Sequence, residues 1–424
     1  MSQLSSSALR RLSGAAGLAC AGLIVLTWSG QTKVGAEEAE TPGRYVGQSE
    51  CAKCHEQGMA GRGKDQLPGL KESATWAKDD QHNFAYKRLD DEDPPEDKPR
   101  WASEVTSEEI FDALEGAEAD MASESIRCLS CHGVVVHDFG TPKWFKKGDN
   151  RVVFANEKHQ QGYEASEGVS CDGCHGPASG WLKAHEKEEW TTQQWLARGG
   201  AKDPAKASQK LYEDLGLYYS KDLVLWAEQC VRCHLRIDSG LLAAAHPDLE
   251  AFELWDQNTR VPPHWRDYSK AADKPELPAG GALHPARVWL VGQSTALQAS
   301  LEEVDKRAKA EAEDYIESAV ERAVAHWTVL RHGLKLVAPE AHGKLEKAMA
   351  ALGEAEDMKG KGKAAAAGAA ALPRSLHYAL VGAKLDAAGV KKILAALEGD
   401  AEAKKKGQRA RLRELSLVAL KRVK

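Results

Sequence analysis

Glu167-Gly168-Val169-Ser170-Cys171-Asp172-Gly173-Cys174-His175-Gly176-Pro177 is the stretch on which the reading of this chain turns. At its centre two cysteines are separated by two residues and followed at once by a histidine. The same pattern stands at Cys51-Ala52-Lys53-Cys54-His55, at Cys128-Leu129-Ser130-Cys131-His132 and at Cys230-Val231-Arg232-Cys233-His234. The chain has nine cysteines, and these four pairs use all but Cys20, which lies in an apolar run near the N-terminus.

Several chemistries use closely spaced cysteines. Zinc takes paired thiolates, but it does not demand a histidine after every pair. Exported chains carry disulfides, and this spacing also makes thiol redox pairs. Neither calls for four histidines in four chances. Covalent haem does. Two thiols add across the two vinyl groups of the porphyrin, and the two intervening residues let both sulfurs reach one edge. The next residue then lies beneath the iron, where a neutral imidazole nitrogen can ligate it. The motifs therefore predict four covalently attached haem c groups. Cys51, Cys54, Cys128, Cys131, Cys171, Cys174, Cys230 and Cys233 would attach them, and His55, His132, His175 and His234 would be the proximal iron ligands.

An electron-carrying haem usually fills its second axial position as well, most often with another imidazole. Eleven of the fifteen histidines lie outside the motifs. The distal candidates are those near an attachment site: His82, which ends Trp76-Ala77-Lys78-Asp79-Asp80-Gln81-His82; His137 and His159, between the second and third motifs; His185, beyond Gly176-Pro177; and His246, before Pro247. His264 and His284 are reserves. His326, His332, His342 and His377 are expected to face solvent, and Met59 and Met121 are weaker alternatives as thioether ligands.

The N-terminus reads as an export signal over residues 1–36. Arg10 and Arg11 precede an apolar stretch from about Leu12 to Trp28, and Val34-Gly35-Ala36 offers small residues for cleavage before Glu37 and Glu38. The run also approaches membrane-spanning length, so both a cleaved signal and a retained N-terminal tether stay open. Either way the expected location is periplasmic, as an exported protein that is soluble or anchored at one end.

The rest of the chain divides by composition. Residues 37–285 hold the motifs among many Gly, Pro, Asp and Trp residues, with weak periodicity and few strand signals. Residues 286–424 are different: Leu301, Val304, Ala308, Ala312, Tyr315, Ala319, Ala323, Trp327 and Leu330 recur every three or four residues, which predicts one long amphipathic helix. Further helices are expected over 339–352, from Pro373 to about Glu398, and from about Ala401. The Gly-, Ala- and Lys-rich stretch near 359–372 reads as a flexible linker. From Leu301 on, 24 Lys and Arg face 18 Asp and Glu, although the whole chain is at -6; the motif-bearing part is therefore acidic. The expected fold class is mainly α, with short helices and loops wrapped around four haems, followed by a C-terminal α-helical hairpin or bundle.

The lead-in Arg44-Tyr45-Val46-Gly47, the Trp and His after the first motif, and the block around the third motif with His185 beyond it resemble the tetrahaem cytochrome c-554 family. That family is related in haem arrangement to hydroxylamine oxidoreductase. The resemblance covers roughly residues 44–250. It implies distal ligands crossed between haems: His82 to the third haem, His185 to the fourth, and His137 or His159 to the first. It further implies that the second haem either lacks a distal ligand or takes His246. The stretch between His55 and His82 is longer than in the family pattern, and the helical region after 286 lies outside it.

These features predict an electron carrier with redox-protein partners rather than a catalyst. The alternative is a multihaem oxidoreductase acting on a small nitrogen or sulfur compound at one open iron; no motif ends in lysine in place of histidine, as the multihaem nitrite reductases typically have it. A third reading is a gas sensor or structural haem subunit. No Gly-rich nucleotide loop and no nucleic-acid module is visible. The sequence leaves open the oligomeric state, the donor and the acceptor.

Overall fold

Each of the four cysteine motifs lies in a helix that ends on the motif's own histidine. A computed structural model describes residues 45–55, 72–90, 105–114, 121–133, 165–187, 204–219, 222–237, 239–248, 251–260 and 283–423. In the motif-bearing part the helices are α1 (Gln48–His55), α2 (Glu72–Asp79), α3 (Ser107–Asp112), α4 (Ile126–His132), α5 (Cys171–His175), α6 (Leu182–Lys187), α7 (Pro204–Leu215), α8 (Leu223–His234), α9 (Ser239–Ala243) and α10 (Leu254–Arg260). The C-terminal part follows with α11 (His284–Lys309), α12 (Glu313–Val337), α13 (Pro339–Glu354), α14 (Met358–Ala370), α15 (Arg374–Val381), α16 (Ala387–Gly399) and α17 (Gln408–Lys421). The described residues contain no β-strand, so the protein is mainly α-helical. No helix among them is long and apolar enough to cross a membrane. The export signal lies outside the described residues.

Local chemistry sets several helix starts. Thr106 and Glu109 form a reciprocal capping box at α3, with Thr106 N donating to Glu109 Oε2 at 2.8 Å and Glu109 N donating to Thr106 Oγ1 at 3.1 Å. Asp222 caps α8 by accepting from Val224 N and Leu225 N. Its other oxygen accepts from Ser208 of α7 and from Tyr378 of α15, so one carboxylate ties three helices.

The C-terminal part is a bundle built around α11. That helix is buried on nearly every side, with Trp289, Leu290, Leu297 and Leu301 fully enclosed, although it also buries polar residues such as Gln293, Ser300 and Arg307. The core does not stop at the bundle. Val224, Ala227, Val231 and Leu235, along and just beyond α8, belong to the same apolar cluster. Glu40–Lys424 forms one compact unit, so the change in composition after residue 285 is not a break in packing. In the motif-bearing part the described apolar clusters are small: one around Trp181 and Leu211, another around Phe111 and Leu129.

The structure departs from the sequence expectations at four places, and the first is the single helix expected from Pro373 to about Glu398, which is two helices, α15 and α16, separated by residues 382–386. The long helix expected through Leu301–Leu330 is two helices, broken after Lys309, where Glu311 takes a left-handed φ of 53°. The apolar spacing runs on through the turn, so periodicity alone did not mark it. The stretch expected as a flexible linker near 359–372 is largely helix α14. Its small residues are a packing surface: a Cβ on Gly362 would meet Ala308 at 2.8 Å, and one on Gly368 would meet Leu301 at 2.9 Å. Last, of the histidines expected in solvent, His326 and His377 are fully buried.

Candidate functional site

Three motif histidines each face a histidine from outside the motifs. His55 faces His185 with ring centres 6.3 Å apart, His82 faces His234 at 6.2 Å, and His132 faces His246 at 6.4 Å. These separations have a meaning. A metal–imidazole bond of about 2.0 Å puts a ring centre about 3 Å from the metal, so imidazoles on opposite sides of one metal have centres about 6 Å apart. Three independent pairs fall at that spacing, and each joins a motif histidine to a distal candidate. The residues present therefore fit the group that the motifs imply.

The rings are also turned for ligation. His55 Nδ1 lies 3.1 Å from Glu72 Oε2, His82 Nδ1 lies 2.8 Å from Asp80 Oδ1, and His132 Nδ1 lies 2.8 Å from the Ala85 carbonyl oxygen. His246 Nδ1 lies 2.9 Å from the Pro247 carbonyl oxygen, and His185 Nδ1 meets that of Leu182. Every partner is an acceptor, so each Nδ1 carries the proton and donates it. Nε2 is left with its lone pair, which is the tautomer a metal needs. Burial, reinforced by the charge of His82, lowers the His234 pKa to about 4. Burial likewise lowers the His132 pKa, despite the bond to Ala85. Both rings are thus neutral at ordinary pH.

The third motif is a backbone hub. Asp172 is 1% exposed, and its carboxylate accepts from Val46 N at 3.0 Å, Gly47 N at 2.9 Å and Ala178 N at 2.9 Å. It anchors the segment leading into the first motif to the segment after the third. Gly168 and Gly176 flank the hub with φ of 66° and 78°. A side chain on Gly168 would strike the His82 carbonyl, and one on Gly176 the Gly216 carbonyl. Val169 N donates to His82 O and Tyr218 N to His175 O, which closes both approaches.

The thiols sort the four motifs in space. Cys51 adjoins Cys171, whose contact and then burial push the Cys51 thiol well up; Cys233 is held high in the same way by Cys131. Cys174 lies near Cys230, and burial pushes both thiols up to about 12. Gln229 Nε2 donates to Gly173 O at 2.6 Å, joining the same two motifs. The spatial order of the motifs is thus first, third, fourth, second. All eight cysteines are free thiols, and no three His, Cys, Asp or Glu side chains among the described residues are grouped to hold a metal ion. A thioether carries no charge, so a buried sulfur that has added to a vinyl group escapes the cost of a buried thiolate.

The pairings differ from those implied by the resemblance. His82 faces His234 of the fourth motif, not the third, and His185 faces His55 of the first, not the fourth. The cause is local. Trp181 packs against the His185 ring at 5.2 Å, and Asp80 steers that of His82. His137 and His159 lie outside the described residues, as do His264 and Met59. Met121 is 51% exposed, and His284 lies against Trp255, so neither is placed opposite a motif histidine. Sequence reasoning missed the Nδ1 acceptors. Only Asp80, two residues before His82, left a local trace. No protein-family model matches the chain, and no curated protein or solved structure matches it either.

Proposed function

We propose that this chain is an exported tetrahaem c-type cytochrome that passes electrons between redox partner proteins in the periplasm. The observation that carries the reading is the set of three opposed imidazole pairs at 6.2–6.4 Å, each joining a motif histidine to another. Haem, when bound, supplies an iron that takes up and gives back one electron without making or breaking substrate bonds.

The chain's own residues do the rest. Eight cysteines fix four porphyrin edges. His55 with His185, His132 with His246 and His234 with His82 hold three irons from both sides. Glu72, Asp80 and the Ala85, Leu182 and Pro247 carbonyls keep the rings in the ligating tautomer. Two imidazoles at each of these three sites would leave no position on the iron for a small molecule, which favours a carrier over a catalyst. His246 opposite His132 counts against an open second haem. The adjacency of the motifs gives a route from the first through the third and fourth to the second, so the order of electron transfer departs from chain order.

The experiment is expression of the chain with a c-type haem maturation system, followed by visible spectra when oxidised, reduced, and reduced under carbon monoxide. Four covalent haems with a reduced spectrum unmoved by the gas are expected. Absence of covalent haem overturns the reading. A gas-induced shift in about a quarter of the signal moves it to the oxidoreductase alternative.

A further inference from the structure

His246 is carried by a short segment that begins at the end of the fourth motif helix and finishes on the bundle. The bundle grips that segment at both ends. The Arg307 guanidinium of α11, whose side chain is 1% exposed, donates to the Ile237 carbonyl at 3.2 Å and reaches Asp248 Oδ2 at 3.4 Å. Arg322 of α12, 0% exposed, donates to Asp248 Oδ1 at 2.7 Å. Ser318 of the same helix donates to Asp248 Oδ2 at 2.7 Å. Asp248 is therefore held by three side chains from two bundle helices.

The link from Asp248 to the imidazole is short and stiff. Pro247 lies between them with its φ fixed by the ring, and its carbonyl oxygen is the acceptor of His246 Nδ1. On the other side Ala245 has a φ of 67°, a left-handed conformation that costs a non-glycine residue about 1–3 kcal/mol. A backbone held there needs something to hold it. His246 N bonds to Leu241 O at 2.9 Å, but α9 is a helix of one turn and a weak anchor alone. His246 itself is half-buried.

We propose that the Asp248–Arg307–Arg322 cluster is a positioning device by which the C-terminal bundle holds His246 opposite His132, so that the bundle sets whether the second haem iron has five or six ligands. This inference rests on the haem reading above. It gives the bundle, which carries no attachment motif, a role in the redox site. It also places a coordination switch at the contact between bundle and motif region. Loss of the clamp lets Ala245 relax to a right-handed conformation and swings His246 away, opening one iron to small diatomic ligands.

The test uses the full haem-loaded chain in five forms: the natural sequence, His246→Ala, Asp248→Ala, the milder Asp248→Asn and the conservative Asp248→Glu. The readout is the fraction of ferrous haem that binds carbon monoxide. The natural form should bind none, and His246→Ala should bind at one haem in four. Asp248→Ala should approach that quarter, and Asp248→Asn should lie between, with the helical circular dichroism and the other three haem spectra unchanged. Asp248→Glu should restore gas resistance. If His246→Ala opens one iron but Asp248→Ala and Asp248→Asn both stay closed, the positioning role is overturned and the haem reading survives. If His246→Ala changes nothing, His246 is not a ligand, and the inference fails with the assignment. If gas binding in Asp248→Ala comes only with loss of helical signal and Asp248→Asn stays closed, the cluster is merely structural and the inference is wrong.

Discussion

The ring of His82 faces that of His234 at 6.2 Å and 88°, joining the residue that follows the first motif to the one that closes the fourth. Replacing His82 with alanine in the haem-loaded chain should open the fourth iron, not the third. The fourth haem is recognised because a His234→Ala variant abolishes the same low-spin signal. A His82→Met variant should instead keep six ligands and raise that haem's potential. Signals lost from a different haem in the two variants would contradict the pairing.

The three pairs differ in the angle between their rings: 19° for His55 and His185, against 88° and 84° for the other two. Parallel imidazoles push on the same iron d orbital and separate it from its partner. Perpendicular ones act on both and leave them nearly equal in energy. In the oxidised protein the first haem should thus give a rhombic low-spin paramagnetic resonance signal, and the second and fourth strongly anisotropic ones. His185→Ala should remove the rhombic signal alone. A spectrum with only rhombic signals would contradict the ring geometry.

Asp172 satisfies three backbone N–H groups from a position 1% exposed. Asp172→Ala strands three buried donors at about 1–3 kcal/mol each. The expected result is a sharp fall in the yield of four-haem protein and a lower unfolding temperature. Asp172→Asn keeps one carbonyl oxygen and should lose less. Equal yields for all three forms would show that the hub is dispensable.

Two histidines make the bundle sensitive to acid. Burial, helped by Arg322, lowers the His326 pKa to about 3; burial, helped by Arg374, lowers that of His377 to about 4. Below the ordinary histidine value of about 6.5 the unfolded chain takes up protons that the folded chain refuses. Stability is therefore complete above that value. It falls as pH drops toward 4, by about 1.4 kcal/mol per pH unit for each histidine. Buried Asp172, Glu228 and Glu253, whose carboxyls are raised to about 7, 7 and 8, act in the opposite sense, so the loss is read as the difference between the natural chain and a histidine variant in urea unfolding at pH 7.5 and pH 5. A His377→Leu variant should lose less between the two conditions, and an unchanged pH dependence would contradict the assignment.

Helix α14 offers a test of packing. Gly368→Leu would drive a side chain into Leu301 of α11 and should destabilise the protein by about 1–3 kcal/mol. In a flexible linker the same change would be neutral. Chemical denaturation of the two forms distinguishes these cases.

How much of this was legible in the sequence depends on the range of the interaction that fixes each feature. The attachment motifs are local patterns five residues long and could be read directly. His82, His185 and His246 could be picked out by nearness to a motif, but not which ring each would face, because those pairings join distant segments. The Nδ1 acceptors are mostly backbone carbonyls and have no residue signature. In the bundle, apolar spacing found the helices but ran through the turn at Glu311. The small residues of Met358–Ala370 resemble a linker in composition, and only the facing surface of α11 explains them. His326 and His377 looked like surface residues because nothing local shows that α12 and α15 turn them inward.

The sharing of α8 between the motif region and the bundle has a consequence for how the protein is made. Cys230 and Cys233 lie on a helix that also contributes Val224, Ala227 and Val231 to the bundle core. Once α11 and α15 dock on that helix, the side that carries Cys230 packs against the bundle core. Cys131 and Cys174, which adjoin Cys233 and Cys230, come earlier in the chain, whereas the bundle helices that cover this face come later. A polypeptide made from its N-terminus onward therefore presents the fourth attachment site before its cover exists. On the proposed haem reading, the order of synthesis would set a window in which the fourth attachment site is reached before the bundle packs on it.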